Sequence, residues 1–479
     1  MAVALLDEVR GVDLGDKRLN RRLGKVIEEL GAQPNLSIPA ATDGRKEMEA
    51  AYRFFDNDKV TPEKILQPHV QATHERISQT RLALLAQDTT ELDLTRPSQQ
   101  VAGTGPMDSE VRRGAFVHPL MAFDLEGVPL GTAWQKTWVR EAIDTTLSKA
   151  EKCRKRQRTP IEQKESLRWL EGLRAAREVA AACPQTVCVC VGDSECDIYE
   201  LFSEPRSAEP RSAEPRAANQ SEVHLLVRAC QTRSTTKSNW LKEARSTPCL
   251  YSRTVNVSSR KAKIAGGKSK REQSRDARLA EVEVRATTVT LRPPYRHDRK
   301  LPEVTINVVL VEEPNPPTGC EPIQWILATT LPIDDLEQVK TIVQSYCIRW
   351  QIEIYFKTLK TGCRVEERQF ENLERLLNCL AVYSIIAWRV MYLCRLGREC
   401  PDLNCEVVFA PSEWRSVYTI VKHQPPPPQP PRLNEIIRLI ASLGGYVTRK
   451  STHPGPQTLW IGLQRVHDLS TAWETFGPD

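Results

Sequence analysis

Residues 186–202 read TVCVCVGDSECDIYELF. Val187, Val189 and Val191 alternate with Cys188 and Cys190, an apolar run that suits one buried strand. Gly192 and Asp193 end that run, and SECDIYELF reads as a short helix. The next apolar segment, VHLLVRAC at 223–230, is a second strand. Upstream, Leu167, Leu170, Leu173 and Ala176 keep a helical period within 160–182. Further upstream, RLALLAQDTTELDL (81–94), GAFVHPLMAFD (114–124) and PLGTAWQKTWV (129–139) read as successive strands, with Glu126-Gly127 as a turn signal. Three strands followed by alternating helix and strand predict an α/β or α+β core with a mixed sheet.

The flanks differ in character. Residues 1 to about 75 read as helical, and in LGDKRLNRRLGKVIEEL (14–30) Leu19, Leu23, Val26, Ile27 and Leu30 recur at helical spacing. Lys17, Arg18, Arg21, Arg22 and Lys25 lie beside that stripe. Such a cationic face can follow a phosphate backbone, and it equally suits a solvated surface. Residues 241–335 carry β-branched alternation in YSRTVNV, RLAEVEVRATTVTL, EVTINVVLVEE and IQWILATTL. Helical patterns return at 336–362 and 370–400, and LIASLGGYV with Trp460 and Trp473 suggests a small helical end domain. Three segments read as loops: SEPRSAEPRSAEPRAA (203–218), a tandem five-residue repeat; the basic SSRKAKIAGGKSKREQSRDAR (258–278); and PPPPQPP (425–431).

A chain of 479 residues is long enough for two to four domains. A net charge of +6 is mild and does not by itself demand nucleic acid. The 14 cysteines lack the paired spacing of a zinc site and suit a reducing cytosol. Met1–Arg10 already holds Asp7, Glu8 and Arg10, so no secretory signal is expected. The apolar stretch Leu376–Cys394 contains Asn378, Ser384 and Arg389, which favours a buried core helix over a membrane span.

The chemistry-bearing segment is YCIRWQIEIYFKTLK, 346–360. On a uniform helix at about 100° per residue, Tyr346, Arg349, Glu353 and Lys360 fall within roughly 60° of one another. That places one carboxylate among cations and a phenol, as a metal-binding acid among phosphate-binding groups would be. A salt-bridged solvent face has the same spacing. Asp88 follows LALLA, and Asp193 follows VCVCVG. Acids at strand ends gather at a sheet edge, where open-sheet sites lie. Asp193 also suits a helix N-cap, and Asp88 a turn or a hydrogen bond to Thr89 or Thr90.

The same segment matches Tyr-x2-Arg-x3-Glu-x6-Lys at every position. It resembles the signature of the insertion-sequence-four family of bacterial DDE transposases, whose best-known relative is the transposon-five transposase. AQDTTELDL and CVGDSECDIYELF resemble the family's two aspartate segments. LGDKRLNRR and AAYRFFDND resemble its N-terminal domain, and LGGYV with HPGPQTLW its C-terminal end. The resemblance implies an RNase H-like core with a β-rich insertion, flanked by helical N- and C-terminal domains. The expected boundaries are 1–75 for DNA binding, 76–240 and 336–370 for the core, 241–335 for the insertion and 371–479 for a helical end with a role in dimerisation.

By the same resemblance, Asp88, Asp193 and Glu353 are the acids that hold two Mg²⁺, with Mn²⁺ as a substitute. Tyr346, Arg349 and Lys360 hold DNA phosphates near the cut. Arg228 lies close to the active site, and Trp325 stands where the transposon-five relative stacks a base. Hard oxygen ligands suit Mg²⁺, and two such ions about 3.5–4 Å apart would activate water and stabilise the leaving oxygen. The expected partners are transposon-end inverted repeats, target DNA and a second copy of the chain in the synaptic complex. No membrane partner is expected, and the expected compartment is the bacterial cytoplasm at the nucleoid. The alternatives are a catalytically silent descendant that only occupies transposon ends, and an RNase H-like nuclease without strand transfer.

Overall fold

The computed structural model describes residues 5–109, 111–141, 147–204, 223–257, 259, 276–447 and 453–477. The SAEPR repeat lies outside these residues, as do Lys261, Lys263, Lys268, Lys270 and Arg271 of the basic loop. The strands are β1 (Leu82–Gln87), β2 (Thr90–Asp93), β3 (Gly105–Pro106), β4 (Arg113–Phe123), β5 (Pro129–Trp138), β6 (Val187–Gly192), β7 (His224–Arg228), β8 (Tyr251–Val257), β9 (Arg278–Leu291), β10 (Val304–Glu312) and β11 (Gln324–Thr329). The chain divides into two compact units. The first is Met1–Thr146, Ala175–Thr186 and Trp350–Asp479; the second is Leu147–Arg174 and Val187–Arg349.

In the first unit, β4 is the organising strand. It pairs antiparallel with β1, β2, β3 and β5. β1 and β2 share one register on β4, because Gln87 faces Leu120 and Thr90 faces Val117. That register brings Asp88 opposite Pro119 and Thr89 opposite His118. The strand expected as continuous over 81–94 is therefore interrupted at Asp88 and Thr89. Pro119, opposite Asp88, has no amide hydrogen to give this ladder, although β5 pairs with β4 through the same position.

Behind these strands runs the helix Leu373–Glu399, buried along most of its length. It packs against the helix Pro62–Ser78, β5 and the helix Lys17–Ala32. Its polar interruptions are satisfied internally: Asn378 donates to the Phe55 carbonyl at 3.0 Å, and Trp388 Nε1 to Pro129 at 2.8 Å. In Lys17–Ala32 the buried residues are Leu23, Val26, Ile27 and Leu30, and Asp16 caps the helix by accepting from Arg18 N. The helices Pro411–Lys422, Leu433–Leu443 and Pro456–Phe476 close around Trp414, Leu433, Ile436, Ile440 and Leu459.

In the second unit, β6 and β7 run parallel. β7 pairs with β11, and β11, β10, β9 and β8 follow as an antiparallel meander. The β-rich insertion thus extends the sheet that β6 and β7 begin. Gly192 is required where β6 ends, since a Cβ there would lie 2.5 Å from Cys196. The structure also holds a helix at Lys149–Arg158 that the sequence pattern did not predict. That stretch has no apolar stripe for a periodicity argument to find.

The uniform helix expected over 336–362 is three segments. Leu336–Ile348 ends in a turn at Arg349–Trp350, Gln351–Lys357 follows, and Thr358–Gly362 is a π-helical turn. Glu353 N donates to Trp350 O at 3.2 Å, a tightened spacing, and Cys363 N to Thr358 O at 2.9 Å, a widened one. The wide turn carries Gly362 against the Trp460 ring, where a Cβ would come within 2.9 Å. The even angular spacing assumed for Tyr346, Arg349, Glu353 and Lys360 therefore does not hold along this segment.

Candidate active site

The expected site residues fall in both units. Asp88, Glu353 and Lys360 belong to the first; Asp193, Arg228, Trp325, Tyr346 and Arg349 belong to the second.

Asp88 sits at the interruption between β1 and β2 and is buried. Its Oδ1 accepts from the Thr89 amide at 2.7 Å. Thr89 Oγ1 lies 2.8 Å from His118 Nδ1, and His118 Nε2 lies 3.1 Å from Gln87 Oε1. One fully buried imidazole therefore ties together the residues on either side of Asp88. Sequence reasoning passed over Gln87 and His118; the signal available was Pro119 inside an otherwise regular strand.

Glu353 is half-buried on the helix Gln351–Lys357, which turns Ile352, Tyr355 and Phe356 inward. Lys357 points away to Gln457, 3.3 Å distant. Lys360 lies on the π turn. Its Nζ donates to the Glu91 carbonyl at 2.8 Å and pairs with Glu366 at 3.0 Å. Glu366 in turn accepts from Asp93 N at 2.9 Å, so Lys360 is anchored to β2.

Asp193 follows β6 directly, is half-buried, and caps Ser194–Cys196 by accepting from Glu195 N at 2.8 Å. Its neighbour Asp197 does different work. The Asp197 side chain is wholly buried, accepts from Cys230 N at 2.9 Å and from Arg233 Nε at 2.7 Å, and so fixes the turn after β7.

Around Asp193 the second unit gathers aromatic and cationic groups. Arg228, the last residue of β7, pairs with Leu327 of β11. Trp325, also on β11, meets the Tyr346 ring edge-on at a centroid distance of 5.4 Å. The Arg349 guanidinium lies 5.8 Å from the same ring. Burial pushes the Tyr346 phenol above its usual pKa; Arg349 and Arg228, the latter by a hydrogen bond to the hydroxyl, pull it down, and the Asp193 carboxylate pushes it up again. Five of the residues expected from the signature and its neighbourhood are thus brought together here.

The N-terminal cations are divided. Lys17, Arg18 and Arg21 are exposed, while Arg22 pairs with Glu47 at 2.6 Å and Lys25 with the same carboxylate at 3.0 Å.

The three acids expected from the sequence, Asp88, Asp193 and Glu353, are all carboxylates, donors of the kind that suits a hard divalent ion. Among the described residues, no group of three or more His, Cys, Asp and Glu is close enough together to hold a metal ion.

Three family models match the chain. The transposase DNA-binding model covers residues 1–60, and Lys17, Arg18, Arg21 and Arg22 fall within it. The transposase DDE domain covers 208–388, a span that holds Arg228, Trp325, Tyr346, Arg349, Glu353 and Lys360 and begins beyond Asp88 and Asp193. The transposase Tn5 dimerisation domain covers 385–472. Among solved structures, the chain is similar to a piggyBac transposase synaptic complex with hairpin DNA, at 11% identity over 80% of this chain and 67% of that one, with a TM-score of 0.37.

Proposed function

This chain is a Tn5-like DDE transposase, an enzyme of DNA transposition, and we propose that Asp88, Asp193 and Glu353 are the carboxylates on which it cuts and joins strands. The observation that carries the reading is the company Asp193 keeps: an acid at a strand end, within electrostatic reach of a buried tyrosine that Arg228 hydrogen-bonds and whose ring lies 5.8 Å from the Arg349 guanidinium. DDE enzymes use divalent metal ions, and we take the ions here to be Mg²⁺. When bound, they would activate the attacking water and stabilise the departing oxygen.

The chain's own residues bind and orient. Arg349 and Arg228 present guanidinium forks suited to a phosphate near the cut. Tyr346 offers a phenol hydroxyl, which can donate to a phosphate oxygen. Lys360 brings a further cation, held ready by Glu366. Trp325 offers a half-buried ring on which an unstacked base could rest. Residues 1–60 bind the transposon ends, with Lys17, Arg18 and Arg21 on phosphates, and residues 385–472 join two copies in the synaptic complex. The protein then acts on chromosomal DNA in the bacterial cytoplasm.

The test is a time course of nicking and strand transfer with Mg²⁺ on DNA carrying the element's own ends. Asp193→Ala is expected to bind the ends and to cut nothing. Cutting at the wild-type rate would remove Asp193 from the site. Wild-type protein that bound ends without cutting would be the silent descendant, and one that cut without joining would be the nuclease.

A further inference from the structure

The helix Lys149–Arg158 has the sequence KAEKCRKRQR, with six cations and one acid in ten residues. The side chains described on it are all exposed, and none of these packs on the protein. A helix polar on every side needs some other source of order. Its N-terminus supplies part: Ser148 and Glu151 form a capping box, in which Ser148 N donates to Glu151 Oε2 at 2.8 Å and Glu151 N to Ser148 Oγ at 3.3 Å. Six cations against one acid leave the segment strongly positive. Lys152, Lys155 and Arg158 follow at intervals of three, and Arg154 and Arg158 at four, where like charges face each other. Arg154, Lys155 and Arg158 also line a surface groove of about 510 Å³ together with Glu151 and Gln163.

We propose that the helix Lys149–Arg158 is a DNA-binding element that takes the phosphate backbone of a duplex without reading its sequence. The proposal rests on the transposition reading, which makes duplex DNA this chain's working partner. Charge complementarity selects the occupant. The helix is about 15 Å long. A duplex laid along it presents one negative charge per about 1.7 Å, on the order of nine charges. Exposed lysine and arginine meet phosphates, and phosphate contacts position DNA without specifying bases. The contrast with Lys17–Ala32 sharpens the point. That helix buries an apolar face and gives up Arg22 and Lys25 to Glu47. In Lys149–Arg158 the described side chains stay exposed.

The experiment uses the full chain and a labelled duplex of random sequence. Binding is measured across a salt series for wild type, for Lys152→Gln/Arg154→Gln/Lys155→Gln/Arg158→Gln, and for the charge-keeping Lys152→Arg/Arg154→Lys/Lys155→Arg/Arg158→Lys. The glutamine variant is expected to lose at least about tenfold in affinity at low salt, with a log–log slope lower by about 0.9 for each contact removed. The charge-keeping variant should retain the wild-type slope, and all three should melt together. A glutamine variant with the wild-type slope would overturn the proposal, as would equal losses in both variants. Mg²⁺-dependent cleavage by wild type is scored in parallel. Cleavage with an unchanged slope sinks this helix alone, whereas wild type that neither bound nor cut DNA would sink the transposition reading and this proposal with it.

Discussion

Asp88 and Asp193 both follow an apolar strand, yet the protein holds them by different means. Asp88 is buried where β1 gives way to β2, opposite a proline, with its neighbours pinned by the His118 imidazole. Asp193 is half-exposed, caps a single turn, and lies within electrostatic reach of Tyr346, around which Arg228, Arg349 and Trp325 gather. The first acid is placed by a sheet; the second is placed by a cap among cations and rings. A buried acid held between two paired strands has little freedom to move, while one on a half-open cap can adjust as its partners bind. The lesson is that equivalent chemical roles do not require equivalent mechanical support.

The largest expected effect tests what the two acids share. Asp88→Ala, Asp193→Ala and Glu353→Ala should each slow nicking by at least about a thousandfold, roughly 4 kcal/mol of barrier, with end binding kept. A single-turnover cleavage assay beside a gel-shift titration checks this. An alanine variant of any one that cut normally would break the equivalence.

The next effect separates function from framework within one segment. Asp197→Ala strips a wholly buried carboxylate from Arg233 and should cost about 3–5 kcal/mol of stability. Asp193→Ala loses one cap and should cost about 1 kcal/mol. Thermal melts of the two variants would reverse that order if the roles were exchanged.

A smaller effect concerns the rings. Trp325→Ala should leave the fold and the first nick nearly intact and weaken base stacking by about 1–3 kcal/mol, slowing any hairpin closure. Core packing would instead cost about 3–5 kcal/mol of stability and impair every step alike. Melting curves beside a product time course distinguish the two. The smallest effect lies at the N-terminal helix. Neutralising Lys17, Arg18 and Arg21 should lower the salt slope of end binding by about 0.9 for each lost contact. Arg22→Gln should change it less, because Glu47 already holds that guanidinium.

Much of this was legible residue by residue. The Val/Cys alternation predicts β6, the leucine and isoleucine spacing predicts Lys17–Ala32, and Asn378, Ser384 and Arg389 mark Leu373–Glu399 as a core helix rather than a membrane span. The interruption at Asp88 was readable only in principle, because Pro119 matters through a partner strand about 30 residues away. The helix Lys149–Arg158 was invisible to a search for apolar stripes because it has none.

What the sequence determined by itself is the chemistry: which residues are carboxylate, cation or ring, and their order along the chain. Those depend on residue identity and local spacing, which periodicity and signature can read. The tertiary structure decided the rest. It broke the expected single helix at Arg349–Trp350 and widened it at Thr358–Gly362, where Gly362 meets the Trp460 ring. It assigned Asp193 to a half-open cap and Asp197 to a buried ion pair, although the two lie four residues apart in one segment. Burial, pairing and helix pitch at those positions depend on contacts between residues far apart in sequence, and no local pattern encodes which contact will win.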